Sequence, residues 1–314
     1  MDYLQRNIDI THFSNFKTPA KAEYYFEINE SADLEKLPDI YKFSKDNNKS
    51  FLCIGWGTNL LFWFDVFDGV IIKNNLKWWR YNHQTKILES YSNESIRQIA
   101  QVLEIDDGQS LWHRFIWLPG SIWGAIFGNA GCFGLEIENN FHSAAVIDLD
   151  KWDLKIFESK DMQFSYRSSI LKTEFPRYFL VSCMFDLSEK KEKYHSNVDN
   201  IYFREHKQPK GNSCGSFFKN PKVDMDMFFK DNPLLERDDM KSMSAGYLIE
   251  NCGLKWHKIW WATLSKQHAN FLMSDGKTCT HNDLLDLIKL AQKTVKHRFN
   301  IDLENEVRII TNEK

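Results

Sequence analysis

The amino-acid sequence predicts an α+β protein with more than one domain. Short apolar stretches that suit strands alternate with amphipathic stretches that suit helices, and no internal repeat or low-complexity tract interrupts them. The chain has 314 residues, which is enough for two or three domains and a sizeable core. Three glycine-containing loops fall in the first half, between or directly after these predicted elements.

The first elements alternate between strand and helix. Strands are predicted at residues 24–28 and 51–54, and another at residues 68–74 after an Asp-Gly turn. Between the first two strands, a helix is predicted to start at Ser31 and to be interrupted near Pro38.

The middle of the chain continues this alternation. The period of the apolar residues predicts a helix over residues 93–103, with Asn93 as its N-cap and Glu94 in its first turn. Apolar stretches at residues 143–149 and 177–187 then predict two more strands.

The last third is predicted to begin after a linker, because residues 188–200 are the most polar stretch of the chain. A polar insertion at residues 222–243 precedes a predicted helix at 244–252 and a strand-like stretch at 268–273. The long helix predicted at residues 281–298 has its apolar side chains mostly on one face, which indicates core packing.

Composition excludes several classes of protein. Lys and Arg together number 40 and Asp and Glu 43, a formal net charge of −3, so no basic footprint for nucleic acid is present. No apolar run approaches the roughly 18–20 residues that span a bilayer, and the N-terminus lacks the apolar core of a signal peptide. The six cysteines are scattered without a C-x-x-C pair. We therefore expect a cytoplasmic protein without membrane insertion, structural metal or disulfides.

The glycine-containing loops are the strongest chemical signal in the residues themselves. Glycine lets the main chain approach an anion closely, and converging N–H groups can bind a phosphate. Neither G-x-G-x-x-G nor a P-loop is present, which argues against a Rossmann domain. Each loop alone is also what an ordinary tight turn looks like, but three together favour a nucleotide-phosphate site. The loop residues are Gly55, Trp56, Gly57, Thr58, Asn59 and Leu60; Pro119, Gly120, Ser121 and Gly124; and Asn129, Ala130, Gly131 and Gly134.

Seven stretches, spread over nearly the whole chain, match one enzyme family in its own order. They are G-W-G-T-N-L-L-F (55–62), L-P-G-S-I-W-G-A-I-F-G-N-A-G-C-F-G (118–134), Y-R-S-S-I-L-K (166–172), K-Q-P-K-G-N-S-C-G-S-F-F-K-N-P (207–221), S-A-G-Y-L-I-E-N-C-G-L-K (244–255), S-K-Q-H-A-N-F (265–271) and L-E-N-E-V-R-I-I (303–310). In these stretches the chain resembles the UDP-N-acetylenolpyruvoylglucosamine reductases, flavoenzymes that make UDP-N-acetylmuramate for peptidoglycan.

The resemblance implies an architecture and a reaction. Residues 1–188 would form a two-lobed FAD-binding domain of the vanillyl-alcohol-oxidase (PCMH) type, with FAD held non-covalently by the three loops. Residues 189–314 would form a substrate-binding domain whose last strand returns to the active site. NADPH would reduce the FAD, and the reduced flavin would reduce the enolpyruvyl ether of a UDP-sugar, a step in cell-wall synthesis that serves cell shape and division. The oligomeric state stays open.

The resemblance also assigns site residues that the sequence alone would not single out. By motif, Ser216 is the proton donor, Arg167 holds or polarises the substrate carboxylate, and Glu306 stabilises the developing enol. Without the family motifs, a turn serine, a salt-bridge arginine and a solvent-facing glutamate would explain these three residues. Family positions that touch the UDP-sugar correspond to Lys207, Asn220 and Asn251.

Tryptophan and glycine depart from the family pattern together. The chain has 11 Trp and only 14 Gly, and eight tryptophans stand where the family has glycine. We interpret them as UGA codons that the source organism reads as glycine but that were translated as tryptophan. Overpacking costs roughly 1–3 kcal/mol at each site, so genuine tryptophans would fill the phosphate turn and demand a cavity at the Trp260–Trp261 pair. The eight are Trp56, Trp78, Trp117, Trp123, Trp152, Trp256, Trp260 and Trp261.

Two other functions remain open at this stage. The chain could be another FAD-dependent oxidase on the same scaffold, acting on a sugar or an alcohol. It could instead be a nucleotide-sugar binding protein with an impaired flavin site, which would follow if the eight tryptophans are genuine.

Overall fold

The fold was analysed in a computed structural model, which describes residues 1–106, 108–188, 208–236, 240 and 242–312. Helices and sheets are mixed along the described chain, so the α+β prediction is confirmed. All but the first residue of the predicted linker at 188–200 lies outside the described residues, and so does Lys207.

Strands and helices alternate from the N-terminus onward. In the described residues the strands are β1 (Gln5–Asp9), β2 (Lys21–Ile28), β3 (Ser50–Ile54), β4 (Leu60–Phe62), β5 (Val66–Asn74), β6 (Trp79–Asn82), β7 (Ile87–Tyr91), β8 (Gly131–Cys132), β9 (Leu135–Glu136), β10 (Phe141–Asp148), β11 (Asp153–Glu158), β12 (Tyr178–Asp186), β13 (Lys258–Ile259), β14 (Ala262–Leu264), β15 (Leu272–Ser274) and β16 (Arg308–Ile310). The α-helices are α1 (Leu37–Asp46), α2 (Ile96–Ile105), α3 (Ile122–Phe127), α4 (Ile170–Thr173), α5 (Met225–Asp231), α6 (Ala245–Asn251) and α7 (His281–Phe299).

The first sheet has the strand order β1-β2-β5-β3, and its inner strands are parallel to one another. A parallel pair needs a crossover, and helix α1 lies in the connection from β2 to β3. Strand β5 is central, so side chains on both of its faces are buried: Val70 and Ile72 belong to one apolar cluster and Ile71 to another. The apolar run of this strand is therefore a consequence of its position.

The second sheet is antiparallel, with the order β11-β10-β12-β7-β6. Trp112 is fully buried against it, with its ring centroid 4.7 Å from that of Phe185. The same apolar cluster reaches Val70 and Ile72 of the first sheet, so the two lobes share one core.

The C-terminal part forms most of a second apolar cluster, which Phe16 and Leu61 of the N-terminal part also join. Helices α6 and α7 pack with the small sheet β13-β14-β15, and Leu248, Leu264 and Leu284 are fully buried there. The chain then returns to the N-terminal part, because β16 pairs in parallel with β4 and places Arg308 beside Leu60.

Several predicted boundaries were wrong for identifiable reasons. The helix predicted over residues 93–103 runs from Ile96, and its N-cap is Ser95, whose side chain accepts from the Gln98 N–H, instead of Asn93. Glu94 therefore precedes the helix. The helix predicted from Ser31 starts there as a 3-10 helix, Ser31–Lys36, and changes to the α-helix α1 at Leu37, close to the predicted interruption. Pro38 does not break α1, because it occupies the first turn, where no N–H is needed.

Two strand predictions also needed correction. The Asp-Gly pair at residues 68–69 lies inside β5, and glycine is required there because a Cβ at Gly69 would lie 2.3 Å from the Ser50 carbonyl oxygen. The strand-like stretch at residues 268–273 is a strand only from Leu272 onward. Its first half turns, with the Phe271 N–H donating to the His268 carbonyl over 3.0 Å.

The expectation that genuine tryptophans at positions 260 and 261 would demand a cavity was wrong as well. Trp260 and Trp261 are 73% and 49% exposed and project into solvent from the turn between β13 and β14. Three tryptophans have a left-handed backbone, with φ of 58° at Trp152, 65° at Trp256 and 47° at Trp260. A bulky residue rarely adopts this conformation.

Candidate active site

The first glycine-containing loop, residues 55–60, connects β3 to β4 and is fixed by close backbone contacts. Gly57 has φ of 69°, and a Cβ there would lie 1.6 Å from the Phe13 carbonyl oxygen. At Gly55 a Cβ would lie 2.5 Å from Ser121 Oγ. Only glycine fits at these two positions, and the close approach at Gly55 holds the first loop against the second.

This first loop forms one wall of a cleft between the N-terminal lobes and the C-terminal part. Ten of the sequence-predicted site residues line it: Gly55, Trp56, Gly57, Thr58, Asn59, Leu60, Ser121, Gly124, Arg167 and Glu306. Seven further lining residues were not predicted: Cys53, Ile54, Trp123, Phe127, Gly128, Lys172 and Arg308. Lys172 and Arg308 lie within the Y-R-S-S-I-L-K and L-E-N-E-V-R-I-I stretches, so the motifs already contained the signal for them.

The other predicted cofactor residues stand behind the cleft wall. Thr58 Oγ1 donates a hydrogen bond to the Pro119 carbonyl over 3.4 Å. A Cβ at Gly120 would lie 2.9 Å from the same hydroxyl. In the third loop, a Cβ at Gly131 would lie 3.0 Å from Arg167 Nη1. The third loop therefore backs the arginine. Its remaining predicted residues, Asn129, Ala130 and Gly134, are absent from the cleft lining.

Arg167 and Glu306 meet inside the cleft although they are far apart in sequence. Arg167 Nε donates to Glu306 Oε1 over 2.7 Å, and both side chains are about four-fifths buried, at 21% and 22% exposure. Asn59 Nδ2 donates to the Glu306 carbonyl over 3.2 Å, and Lys172 Nζ donates to the Arg167 carbonyl over 2.9 Å. Hydrogen bonds to their own backbone carbonyls therefore fix the positions of both members of the pair.

Ser216 is not part of the cleft lining, but the residue that follows it contacts the segment that carries Glu306. The carbonyl of the next residue, Phe217, accepts from the Glu306 N–H over 2.7 Å and from the Val307 N–H over 3.2 Å. Ser216 itself is bridged to Phe271 in antiparallel fashion. The backbone thus brings the predicted proton donor within one residue of the segment that carries Glu306.

The cleft has an excess of positive charge. Its lining contains the cations of Arg167, Lys172 and Arg308 and the single carboxylate of Glu306. Burial lowers the pKa of Lys172, and it lowers the pKa of Arg308 to about 10. The Arg308 guanidinium lies 4.0 Å from the centre of the Phe175 ring. Buried cations without enough carboxylate partners favour an anionic ligand.

Two of the predicted substrate residues have local structural contacts. Asn220 Oδ1 accepts from the Ala245 N–H over 3.2 Å at the start of α6, and Asn251 Nδ2 donates to the Tyr247 carbonyl over 2.9 Å at its end. Neither lines the cleft, and Lys207 lies outside the described residues. Their contact with a UDP-sugar therefore stays a prediction.

The polar part of the cleft fits the diphosphate of a dinucleotide. Within the described chain, the N–H groups of Trp56, Gly57 and Thr58 donate to no protein acceptor, and they stand beside the cationic side chains. In the apolar part of the cleft, the indoles of Trp56 and Trp123 both border the space and restrict it. Trp56 is anchored there by a 3.1 Å bond from Nε1 to the Asn93 carbonyl.

Two other kinds of site were sought in the described residues. No group of three or more His, Cys, Asp or Glu side chains is arranged to hold a metal ion. None of the helices described is both long and apolar enough to cross a membrane.

Comparison with known proteins identifies the fold and the family. Residues 207–310 match the model of the UDP-N-acetylenolpyruvoylglucosamine reductase C-terminal domain. The UDP-N-acetylenolpyruvoylglucosamine reductase of Protochlamydia amoebophila is 30% identical over 314 residues, covering 98% of this chain and 93% of the relative. That of Chlamydia felis is 28% identical over 308 residues, covering 98% and 94%.

A solved structure supports the same conclusion at the level of the fold. The UDP-N-acetylenolpyruvylglucosamine reductase of Thermus caldophilus superimposes with a TM-score of 0.70 at 19% identity, covering 98% of this chain and all of that one. The fold implied by the resemblance is therefore confirmed. Because it is 30% identical to one relative over nearly its full length, the chain belongs to the UDP-N-acetylenolpyruvoylglucosamine reductase family and is an oxidoreductase.

Proposed function

We propose that this protein catalyses the NADPH-dependent, FAD-mediated reduction of UDP-N-acetylglucosamine enolpyruvate to UDP-N-acetylmuramate. The observation that carries the proposal is the buried 2.7 Å ion pair of Arg167 and Glu306. It lies in the same cleft as the first glycine loop, whose N–H groups at residues 56–58 have no acceptor within the described chain. A cofactor site and an acid-base site are thereby adjacent. The product would serve peptidoglycan synthesis in the cytoplasm.

The two parts of the chain divide the binding between them in this proposal. Residues 1–188 bind FAD, and residues 189–314 bind the UDP-sugar, in line with the different apolar clusters that most residues of the two parts join. The first loop and the cations of Lys172 and Arg308 hold the FAD diphosphate. Lys207, Asn220 and Asn251 contact the UDP-sugar.

The reaction requires hydride delivery to the alkene and protonation of the neighbouring carbon. Bound FAD supplies the hydride chemistry after reduction by NADPH. Arg167 holds the substrate carboxylate, because its planar fork can donate two parallel hydrogen bonds. Glu306 orients Arg167 and faces the developing enol, and Ser216 donates the proton. The buried setting strengthens each of these interactions, because little water competes for them.

Replacement of Ser216 tests the assignment. The Ser216→Ala variant should keep bound flavin and its reduction by NADPH, yet lose turnover of the enolpyruvyl ether by at least roughly a hundredfold, the usual size of a general-acid contribution. Stopped-flow absorbance separates the two half-reactions. Ser213→Ala is the matched control, since the Ser213 hydroxyl accepts from the Gly215 N–H over 3.3 Å and has no role in the proposed reaction. Unchanged turnover in Ser216→Ala would contradict its role.

One observation favours a second candidate, a nucleotide-sugar binding protein with an impaired flavin site. The indoles of Trp56 and Trp123 occupy cleft space beside the free N–H groups. A purified protein that is colourless and takes up no FAD, but binds the UDP-sugar, would favour this candidate. An oxidase on the same scaffold would instead be reduced by simple sugars or alcohols and would not respond to the enolpyruvyl substrate.

A further inference from the structure

Lys73 is the basic residue that lies directly beneath the first glycine loop. It belongs to the central strand β5, where it is paired with Ile54 on one side and with Glu27 on the other. Since Ile54 is the last residue of β3, the Lys73 side chain reaches the point where the loop begins. Its Nζ donates a hydrogen bond to the Gly55 carbonyl.

The surroundings leave this amine few other partners. It lies 5.2 Å from the centre of the Phe13 ring, and none of the described carboxylates is within ion-pair distance. The nearest acidic neighbour in the sheet, Glu27, accepts the Tyr25 hydroxyl over 2.6 Å. Burial lowers the pKa of Lys73 to about 8. The Gly55 carbonyl is thus the hydrogen-bond acceptor that compensates the burial of this amine.

The bond to Lys73 determines which way the next N–H points. In a planar trans peptide the carbonyl and the following N–H point in opposite directions. With the Gly55 carbonyl turned down toward Lys73, the Trp56 N–H is turned up toward the cleft. The neighbouring N–H groups of Gly57 and Thr58 also donate to no acceptor in the described chain.

We propose that Lys73 is a positioning residue of the cofactor site, which locks the Gly55 peptide so that the Trp56 N–H faces the diphosphate of the bound dinucleotide. The inference rests on the proposed function in one respect, since it assumes that FAD binds in this cleft. Lys73 does not touch the ligand in this arrangement. It acts through the peptide, and no substrate or cofactor group is assigned to its own amine.

Two flavins distinguish positioning from a general structural role. FAD carries the diphosphate, and riboflavin carries the same ring without it. The Lys73→Met variant should bind FAD at least tenfold more weakly than wild type while its affinity for riboflavin is unchanged, and Lys73→Arg should restore FAD binding. A merely structural role would weaken both ligands alike. Lys21→Met, which removes an exposed lysine at the other end of the same sheet, is the matched control. Fluorescence titration of wild type and the three variants with both flavins measures these affinities.

The outcomes separate this inference from the proposed function. Wild-type protein that binds no FAD at all would overturn the proposed function, whereas FAD binding that is equally tight in wild type and Lys73→Met would overturn the role of Lys73. If Lys73→Met does not fold, amide hydrogen exchange in the wild type carries the test. The Trp56 N–H should exchange more slowly with FAD than with riboflavin, and equal exchange would overturn the inference.

A second, independent feature is the backbone of three tryptophans. Trp152, Trp256 and Trp260 have positive φ, whereas none of the three tryptophans outside the family-glycine set, Trp63, Trp79 and Trp112, does. A left-handed conformation costs an L-residue roughly 1–2 kcal/mol, and glycine avoids this cost.

The hairpin at Trp260 makes the requirement specific. Ile259 in β13 is paired with Ala262 in β14, so Trp260 and Trp261 are the two central residues of a two-residue turn. Only the first of them has positive φ, at 47°. This is the pattern of a type II′ turn, whose first central position takes glycine.

We infer that Trp152, Trp256 and Trp260 are glycine in the protein that the source cell makes. The conformations add a structural reason to the family pattern at these three positions, and they agree with the interpretation that UGA codons are read as glycine. Mass spectrometry of protein purified from its own host tests it on tryptic peptide 259–266. Peptide 98–114, with the core residue Trp112, is the control. Glycine at position 260 is expected while position 112 stays tryptophan; tryptophan at 260 would overturn the inference.

Discussion

The first glycine loop (residues 55–60) and the β13–β14 corner (residues 253–261) both contain glycine and tryptophan, but the backbone and the exposure of the tryptophans differ between the two regions. Trp56 in the loop is partly buried and has an ordinary φ. At the corner, Trp256 and Trp260 have left-handed backbones and are 56% and 73% exposed. Tryptophan in place of glycine therefore takes up volume in the loop, whereas at the corner it requires an unfavourable backbone conformation.

The difference shows that glycine can be required for two separate reasons. At the corner the chain must turn, so the need for glycine is visible in the φ of the protein by itself. In the loop, under the proposed function, the need arises from the ligand, because an indole would occupy volume that the bound FAD requires. A backbone without strain is therefore no argument that a side chain belongs at a cofactor site.

The largest expected effect comes from opening the cleft. The double variant Trp56→Gly/Trp123→Gly should lose about 3–5 kcal/mol of unfolding free energy without ligand, because Trp123 is 6% exposed and packs against Phe179. FAD affinity should rise at least tenfold, and FAD should restore the melting temperature. Calorimetry with and without FAD measures both effects.

Trp112→Gly is the control for that experiment. It removes an equally buried indole from the core of the second lobe, away from the cleft. The loss of stability should be similar, but FAD should not restore it. If FAD rescued Trp112→Gly equally well, the comparison between cleft and core would fail.

A smaller effect is expected from adding one methyl group in each region. Gly57→Ala should cost about 3 kcal/mol or more, since the Cβ would lie 1.6 Å from the Phe13 carbonyl oxygen and φ is 69°. Gly253→Ala, at the corner, also has positive φ but meets no atom within 4 Å, so about 1 kcal/mol is expected. Urea unfolding of both variants measures the difference between their unfolding free energies. Equal decreases in unfolding free energy would mean that the close contact at Gly57 does not distinguish the two regions.

A still smaller effect, of opposite sign, is expected at the corner. Trp260→Gly should raise the unfolding free energy by about 1 kcal/mol, because removal of the left-handed strain outweighs the added chain entropy. Its neighbour Trp261 lacks positive φ, so Trp261→Gly should be neutral or destabilising. Thermal unfolding of the pair gives the sign directly, and a stabilising Trp261→Gly would contradict the turn assignment.

A further difference between the regions is a pH dependence that comes from Lys73 beneath the loop. Burial lowers the pKa of Lys73 from 10.5 to about 8, so between these values the unfolded chain binds more protons than the folded one. Unfolding free energy should therefore rise with pH across this window in the ligand-free protein. The rise should disappear in Lys73→Met and persist in Lys258→Met at the corner. Urea unfolding between pH 8 and pH 10.5 measures it.

Local patterns predicted much of the fold. Period and capping residues found the positions of α1, α2, α6 and α7, and apolar runs found β2, β3, β5, β10 and β12. The errors came from tertiary contacts. Gly69 looked like a turn residue because a sequence does not display the Ser50 carbonyl that approaches it in the neighbouring strand.

The candidate site was predicted unevenly. The loop residues lie close together in the chain, so their pattern was readable, and most of them line the cleft. Arg167 and Glu306 were found only through family motifs, since nothing local marks an arginine and a glutamate 139 positions apart as partners. Lys73 was missed altogether, because its role depends on a backbone carbonyl in an adjacent strand.

By itself the sequence determined the α+β class, the glycine-containing loops and, through the motifs, the family, because these depend on residue type and short-range order. Only the tertiary structure decided that β16 returns beside β4, that Arg167 pairs with Glu306, and that Lys73 lies under the loop. Each of these depends on segments that are distant in the chain, and their side chains become partners only when packing brings the backbones together.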